Sequence, residues 1–205
     1  MANRLTRREQ VREETIEKIL SIAREEMQKD GVAALSLGTI ARRLGMRPPS
    51  LYTYFDSKHA IYDALFRRGF VEFGRRMDKR PSQDGSLRQN LHSAMTTYMR
   101  FAQENPDLYQ LMFQRPVPGF VPSSESMAVS LAQLETAKEQ MTQLLAREEI
   151  SLNLPVEEAR DLVIAFQHGL TELHLANNPQ LPVGEGRFGK LIDQAVHMIL
   201  DAWQK

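Results

Sequence analysis

Polar and proline residues are concentrated in a short segment that follows Gly45. Arg47, Tyr52 and Thr53 carry guanidinium and hydroxyl groups, which are donors that proteins direct at the phosphates and base edges of nucleic acids. Pro48 and Pro49 lie between them and restrict where a helix can begin. Residues of these types suit recognition of a polyanion rather than the making or breaking of covalent bonds.

Two short helices joined by a glycine turn would position this segment. Ser36 is a suitable N-cap for a helix over 37–44, and Gly45 ends it because glycine tolerates the left-handed conformation of a tight turn. A second helix of about two turns can begin only near Pro48. The apolar residues that would join the two helices are Ile40, Ala41, Leu44, Leu51 and Phe55. This pattern is typical of a helix-turn-helix, whose second helix enters the major groove of DNA.

Helical periodicity runs along the whole chain, and no stretch shows the alternation of a strand, so the sequence predicts an all-α fold with about nine helices. Proline and glycine predict loops at 115–124 and 177–186. The predicted helices span 13–29, 37–44, 48–55, 57–80, 87–104, 106–114, 124–149, 156–177 and 186–204.

Composition excludes several classes of protein. The chain has 205 residues, 42% of them hydrophobic, which is enough for a core without disulfides or a structural metal. It contains no cysteine, so thiolate nucleophiles and thiolate metal sites are excluded. No apolar run approaches the roughly 18 residues of a membrane span, and the first residues lack the apolar segment of a signal peptide. We therefore expect a cytoplasmic protein that does not bind membranes.

No catalytic motif is present, so we expect neither an enzyme nor a cofactor. The chain lacks a nucleophile elbow, a phosphate-binding glycine loop and a metalloprotease helix. His168, Glu172 and His174 lie close together in sequence, but their spacing matches no known metal-ligand pattern. We expect these histidines to pack rather than to bind a metal.

Charge is distributed unevenly although the formal net charge is zero. Residues 1–80 contain 17 Lys or Arg against 11 Asp or Glu, whereas the remaining residues contain 9 against 15. A basic first part followed by an acidic remainder fits a DNA-binding module joined to a part that avoids DNA. A solvated helical surface with chance clustering of charge would show the same numbers.

The run from Gly31 to Lys58, GVAALSLGTIARRLGMRPPSLYTYFDSK, resembles the DNA-binding domain of TetR/AcrR-family transcriptional regulators. The resemblance covers about 15–66 and includes the Ile40-Ala41 pair, Gly45 and the Leu-Tyr-x-x-Phe core that begins at Leu51. One departure is Arg47, because members of the family often have a small hydroxyl residue there that caps the recognition helix.

The resemblance implies two sets of DNA contacts. Arg47 would make a bidentate contact to guanine, and Thr53 or a proline ring would meet a thymine methyl group. Tyr54 would touch a phosphate or simply pack. The implied phosphate-binding residues are Ser36, Thr39, Tyr52, Tyr54 and Lys58, and the implied base-reading residues are Arg47, Pro48, Pro49 and Thr53.

The resemblance also implies a division into two domains. Residues 1–57 would form the DNA-binding domain with a basic N-terminal arm, and residues 58–205 a helical domain that senses a ligand and dimerises. The arm, with Arg4, Arg7, Arg8 and Arg12, would add DNA contacts or form a disordered tail. Stretches such as Phe166-Gln-His-Gly-Leu170 are similar to a TetR subgroup whose C-terminal domain carries a Trp-His-Gly signature.

Two further sets of residues are candidates within the second domain. Aromatic and methionine side chains suit a pocket for an apolar ligand, although a plain core would look the same. The predicted pocket residues are Met95, Tyr98, Met99, Tyr109, Met112 and Phe113. Apolar stripes on the last two helices suit a two-fold interface or the closing of the monomer core. The predicted dimer residues are Phe166, Gly169, Leu170, Leu173, Leu191, Ala195 and Ile199.

Together these features predict a ligand-responsive DNA-binding regulator without catalytic residues. It would act as a repressor that binds a palindromic operator as a homodimer and is released by a small apolar effector. A transcriptional activator of this kind would have the same residues at all of these positions. The alternative from another class is a helical small-molecule carrier, or an enzyme, with a basic N-terminal part that binds partners.

Overall fold

A computed structural model describes residues 6–81 and 84–203. The described residues contain helices and turns but no strand, which confirms the all-α prediction. Within the same ranges, no helix is both long and apolar enough to cross a bilayer.

Ten α-helical segments and one 3-10 turn follow one another through the described ranges. Their bounds are α1 Arg7–Asp30, the 3-10 turn Val32–Ala34, α2 Leu37–Arg43, α3 Pro48–Leu51, α4 Lys58–Asp78, α5 Leu87–Glu104, α6 Pro106–Phe113, α7 Ser124–Arg147, α8 Val156–Asn177, α9 Gly186–Gly189 and α10 Ile192–Trp203. The single helix predicted over 186–204 is therefore divided, because glycines at both ends of α9 weaken it and Leu191 N–H turns back to the Phe188 carbonyl, 3.1 Å away.

The first helix begins six residues earlier than predicted. Thr6 Oγ1 accepts from Glu9 N–H at 3.3 Å, and Glu9 Oε2 accepts from Thr6 N–H at 2.7 Å, so the two residues form a capping box. Arg7, Arg8 and Arg12 consequently lie on α1 and not in a separate arm. Arg4 lies outside the described residues.

The chain forms two compact units, and the first contains residues up to Gly69 together with Pro106–Met127. Its core joins the apolar faces of α1 to α3 with the first half of α4 and with α6. The fully buried carboxylate of Asp107 accepts from Arg24 at 2.8 and 3.1 Å and from Gln28 at 3.1 Å, which fixes α6 on α1. Tyr62 on α4 donates to the Val32 carbonyl at 2.6 Å.

The second unit contains Phe70–Asn105 and the residues from Ala128 onward. One hydrophobic core joins α5, α7, α8 and α10 and includes the buried indole of Trp203. Ser86 and Gln89 form a capping box at the start of α5, as the sequence Ser-x-x-Gln suggests. The predicted functional boundary at residues 57 and 58 differs from this division into compact units and stays a prediction.

We expect Asp107→Ala to lower the free energy of unfolding by about 2 to 3 kcal/mol, because it leaves a partly buried guanidinium without its partner. Glu125→Ala is the matched control, since it removes a carboxylate that is 77% exposed and pairs with Arg67 at the surface. That change should cost less than about 1 kcal/mol. Urea denaturation of both variants measures the difference, and equal costs would contradict the role given to Asp107.

Candidate nucleic-acid interface

The turn between α2 and α3 has the geometry that the sequence predicts. Gly45 has φ +67°, a conformation that side chains with a Cβ rarely adopt, and no neighbouring atom would crowd a Cβ there. Gly45 N–H donates to the Arg42 carbonyl at 3.1 Å, and Met46 N–H donates to the Ala41 carbonyl at 2.9 Å. Backbone conformation, and not packing, is therefore what requires glycine at this position.

Helix α3 is shorter than the predicted two turns. It begins at Pro48 after an extended Arg47, whose side chain makes no capping hydrogen bond. Beyond Leu51 the chain tightens, since Thr53 N–H donates to the Ser50 carbonyl at 3.3 Å and Tyr54 N–H to the Leu51 carbonyl at 2.9 Å. Only one regular α-helical turn therefore forms before this tighter one.

The side chains that fix α3 on α2 are those that the pattern predicts. Leu51 is 1% exposed and lies in the same core as Ile40 and Ala41, which are fully buried. Leu44 and Phe55 are half-buried at the edge of this contact. The opposite side of α3 is exposed, and the residues on it are Arg47, Pro48, Pro49, Tyr52 and Thr53. All four predicted base-reading residues are thus at the surface.

The start of α2 is held by hydrogen bonds that also position its hydroxyl groups. Ser36 Oγ accepts from Thr39 N–H at 3.4 Å, and Ser36 N–H donates to the buried Glu26 at 3.2 Å. Thr39 Oγ1 accepts from Arg42 at 3.2 Å. Hydroxyl groups at the start of a helix suit a phosphate group, as predicted for Ser36 and Thr39.

Arg42 is a functional candidate that the sequence analysis missed. Its guanidinium is exposed and lies beside the Thr39 hydroxyl, one turn from the start of α2. Neighbouring Arg43 is instead paired with Glu25, and this hydrogen bond lowers the pKa of Glu25. Within the described residues neither Arg42 nor Arg47 pairs with a carboxylate. The signal in the sequence was a basic residue three positions after Thr39, which places both on one helix face.

Two other predicted phosphate-binding residues occupy different environments. The ring of Tyr54 is half-buried and lies 5.5 Å from the Arg12 guanidinium on α1, which favours the packing role. Lys58 is the first residue of α4, and Ser57 Oγ accepts from Ala60 N–H at 3.1 Å, so Ser57 is the cap of this helix. Lys58 Nζ lies 5.8 Å from the ring of Tyr62.

The predicted pocket residues are divided between the two units. Met95, Tyr98 and Met99 are buried on α5 in the second unit, whereas Tyr109 and Met112 are buried on α6 in the first, next to a half-buried Phe113. Tyr98 Oη lies 2.5 Å from His168 Nδ1, and burial lowers the pKa of this histidine although the charge of Glu172 acts in the opposite direction.

The predicted dimer residues also divide. Phe166 and Leu173 are 37% and 44% exposed on α8, on the same face as Gly169, and Leu191 is 37% exposed. Leu170 is half-buried and packs against the core of the second unit. Ala195 and Ile199 are buried within that core at 5% and 4% exposure, because this side of α10 faces α5. Ala195 and Ile199 therefore expose little side-chain surface that a partner chain could contact.

Two family models match most of the chain. Residues 19–65 match the model described as bacterial regulatory proteins of the tetR family. Residues 91–198 match the model described as a tetracyclin repressor-like C-terminal domain. The first match contains the helix-turn-helix described above.

Individual proteins show the same likeness. An HTH-type transcriptional regulator of Mycobacterium tuberculosis is 27% identical over 121 residues, which are 57% of this chain and 51% of that protein. The chain thus spans about half the length of the curated relatives it matches.

Solved structures extend the similarity over nearly the whole chain. The regulatory protein SCO4313 has a TM-score of 0.76 at 21% identity and covers 96% of this chain and 100% of its own. The transcriptional regulator FadR of Bacillus subtilis, solved in complex with stearoyl-CoA, has a TM-score of 0.69 at 16% identity and covers 90% of this chain and 97% of its own. At these identities the likeness shows the fold alone.

We expect Arg42→Gln to weaken binding to duplex DNA about equally for all sequences and to reduce the slope of log affinity against log salt by about 1, because one phosphate contact is lost. Arg43→Gln is the matched control on the next residue, and it should change the slope less because Arg43 is paired with Glu25. Fluorescence anisotropy at several salt concentrations measures both slopes. An unchanged slope for Arg42→Gln would exclude it from the interface.

Proposed function

This chain belongs to the TetR family of bacterial regulatory proteins, and we propose that it represses transcription by binding a palindromic operator as a homodimer. The proteins of this family are transcriptional regulators and not enzymes. A small-molecule effector bound in the C-terminal part would release the operator.

The exposed face of α3 is the observation that carries this proposal. Its exposed residues project from a helix that Leu51 fixes on α2, and Gly45 sets the turn between the two helices. This arrangement leaves a guanidinium and a hydroxyl group at the surface with no capping role in α3. A single helix of this length reads few base pairs, so sequence-specific binding needs two copies on half-sites about 34 Å apart.

The exposed apolar stripe of α8 supports the homodimer. Leu162, Phe166 and Leu173 lie on one face at helical spacing and are each at least 37% exposed. Leu191, which directly precedes α10, and Met198 on α10 are also exposed, Met198 by 53%. Exposed apolar residues that share one helix face favour an interaction site, and two copies around a two-fold axis would bury them.

Helix α4 supports the proposed coupling between effector and operator. Residues of α4 up to Gly69 belong to the first unit, and residues from Phe70 belong to the second. A ligand that binds the second unit would act on the operator through this continuous helix. Linkage then requires the effector and the operator to weaken each other's binding by the same factor.

Selection of binding sites from a random duplex pool by the full-length protein tests the DNA-binding proposal. We expect an inverted repeat to be enriched, with the two half-sites centred one helical turn or a multiple of it apart. The selected sequence should compete at least about a thousandfold better than unrelated duplex at physiological salt. Binding without sequence preference would contradict the proposal and would favour a carrier or enzyme with a basic partner-binding part.

We expect the paired substitution Phe166→Glu and Leu173→Glu to convert the dimer to monomers, because it places charges on the apolar face of α8. Operator affinity should fall at least about tenfold because the two half-sites then bind independently. Val121→Glu is the control, since it adds the same charge at an apolar residue that is 80% exposed elsewhere. Sedimentation velocity measures the mass, and a dimer that survives the paired change would exclude this face.

A further inference from the structure

A buried arginine in the second unit forms no ion pair with a carboxylate of the described residues. Arg80 follows α4 and is 8% exposed. Its Nη1 donates to the Met77 carbonyl at 2.6 Å, and its Nη2 donates to Gln140 at 3.0 Å and to Asn90 at 3.4 Å. Among the described residues, the Nε–H group has no hydrogen-bond partner. The guanidinium is therefore hydrogen-bonded to neutral groups alone, and one of its donors is unused within the described part of the chain.

Retaining a cation in this place is costly to the free protein. Burial lowers the pKa of Arg80, and the negative charge of Asp78 offsets this effect only in part. Arginine nevertheless stays protonated in proteins, so the positive charge remains in the interior. In the described part of the chain no carboxylate forms an ion pair with it. A buried charge that Asp78 offsets only in part favours the binding of an anion at this position.

Two adjoining cavities meet at this arginine and differ in character. The larger, of about 370 Å³, has polar walls that include Asp84 and Arg147. The smaller, of about 90 Å³, has mainly apolar walls formed by residues such as Leu91, Met141 and Val163. Both cavities are lined by Arg80, Asn90, Gln140 and Leu144. A molecule with an anionic head and an apolar body would satisfy both sets of walls at once.

We propose that the second unit binds a small amphipathic carboxylate, with its acid group on Arg80 and its apolar body among Leu91, Met141 and Val163. The inference rests on the proposed function and deepens it, because it names the chemical class of the effector. It replaces the purely apolar effector that the sequence suggests. Asp84 lines the polar cavity and disfavours a doubly charged head group such as a phosphate monoester.

The carboxylate would supply what the free protein lacks. Its oxygens would accept hydrogen bonds from the Arg80 side chain, which lines both cavities, and its charge would neutralise the buried guanidinium. Arg80 lies two residues beyond the end of α4, the helix that contributes residues to both units. Binding of a carboxylate to Arg80 would therefore change the charge near the end of α4, the helix proposed to couple effector binding to operator binding.

Calorimetric titration of the full-length protein tests the proposal with matched acids and alcohols. The probes are hexanoate, octanoate and benzoate, each compared with 1-hexanol, 1-octanol or benzyl alcohol. We expect at least one acid to bind at least about tenfold more tightly than its alcohol, since a charge-assisted hydrogen bond is lost in the neutral compound. Hexyl phosphate should bind more weakly than hexanoate.

Two variants separate the head group from the body of the ligand. Arg80→Met should abolish the preference for acid over alcohol while the protein stays folded, because an apolar side chain of similar length replaces an unpaired buried charge. Arg88→Met, on the exposed face of α5 outside these two cavities, should keep the preference. Ala94→Leu fills the apolar cavity and should weaken all three acids although Arg80 is intact. If Arg80→Met does not fold, the affinity of Ala94→Leu for the three acids tests the proposed site instead.

Four results would overturn the proposal: no acid binds the unmodified protein, acids and alcohols bind alike, folded Arg80→Met keeps the preference for acids, or folded Ala94→Leu binds every acid as tightly as the unmodified protein. All these titrations are done without DNA. A protein that binds octanoate but selects no operator would refute the proposed function and leave the anion site intact. A protein that selects an operator but ignores every acid would refute only the anion site.

Discussion

The buried carboxylate of Asp107 is the interaction on which the DNA-reading unit depends. Helices α2 and α3 have only seven and four residues, which is too little apolar surface for a core of their own. They fold against α1, and Asp107 fixes α6 on α1 through Arg24 and Gln28. Asp63 extends the unit because its carboxylate accepts from Ser123 and Ser126 at 2.9 Å. The reading helix is therefore supported by residues from a distant part of the sequence.

Helices that contribute residues to both units give a physical basis for coupling between ligand binding and DNA binding in this chain. Helices α4 and α7 each contribute residues to both units, and α6 belongs to the first unit although it follows α5 of the second. A change in the second unit thus has continuous helices through which to act. Arg80 lies two residues beyond the end of α4, so an anionic ligand bound to it would change the charge close to this shared helix.

Much of the fold was predictable from the sequence because it depends on local signals. Gly45, Ser36 and the Leu51 core follow from turn chemistry, capping and helical period, and all three are confirmed. The early start of α1 was missed although Thr6 and Glu9 form a recognisable capping box. Arg80 was not predictable, since no periodicity shows that a polar residue after a helix will be buried by α5 and α7. The burial of Ala195 was also not predictable, because the apolar pattern of a helix does not show whether the protein's own core or a partner chain covers a given residue.

The most direct test of the account is whether Arg47 reads a base. In the selected operator, each guanine would be replaced in turn by 7-deazaguanine, which lacks the N7 acceptor, and affinity measured for the unmodified protein and for Arg47→Gln. We expect one symmetric pair of positions where the replacement costs about 1 to 3 kcal/mol of binding free energy with the unmodified protein and little with Arg47→Gln. If no position shows a loss that depends on Arg47, α3 does not recognise DNA in the way described.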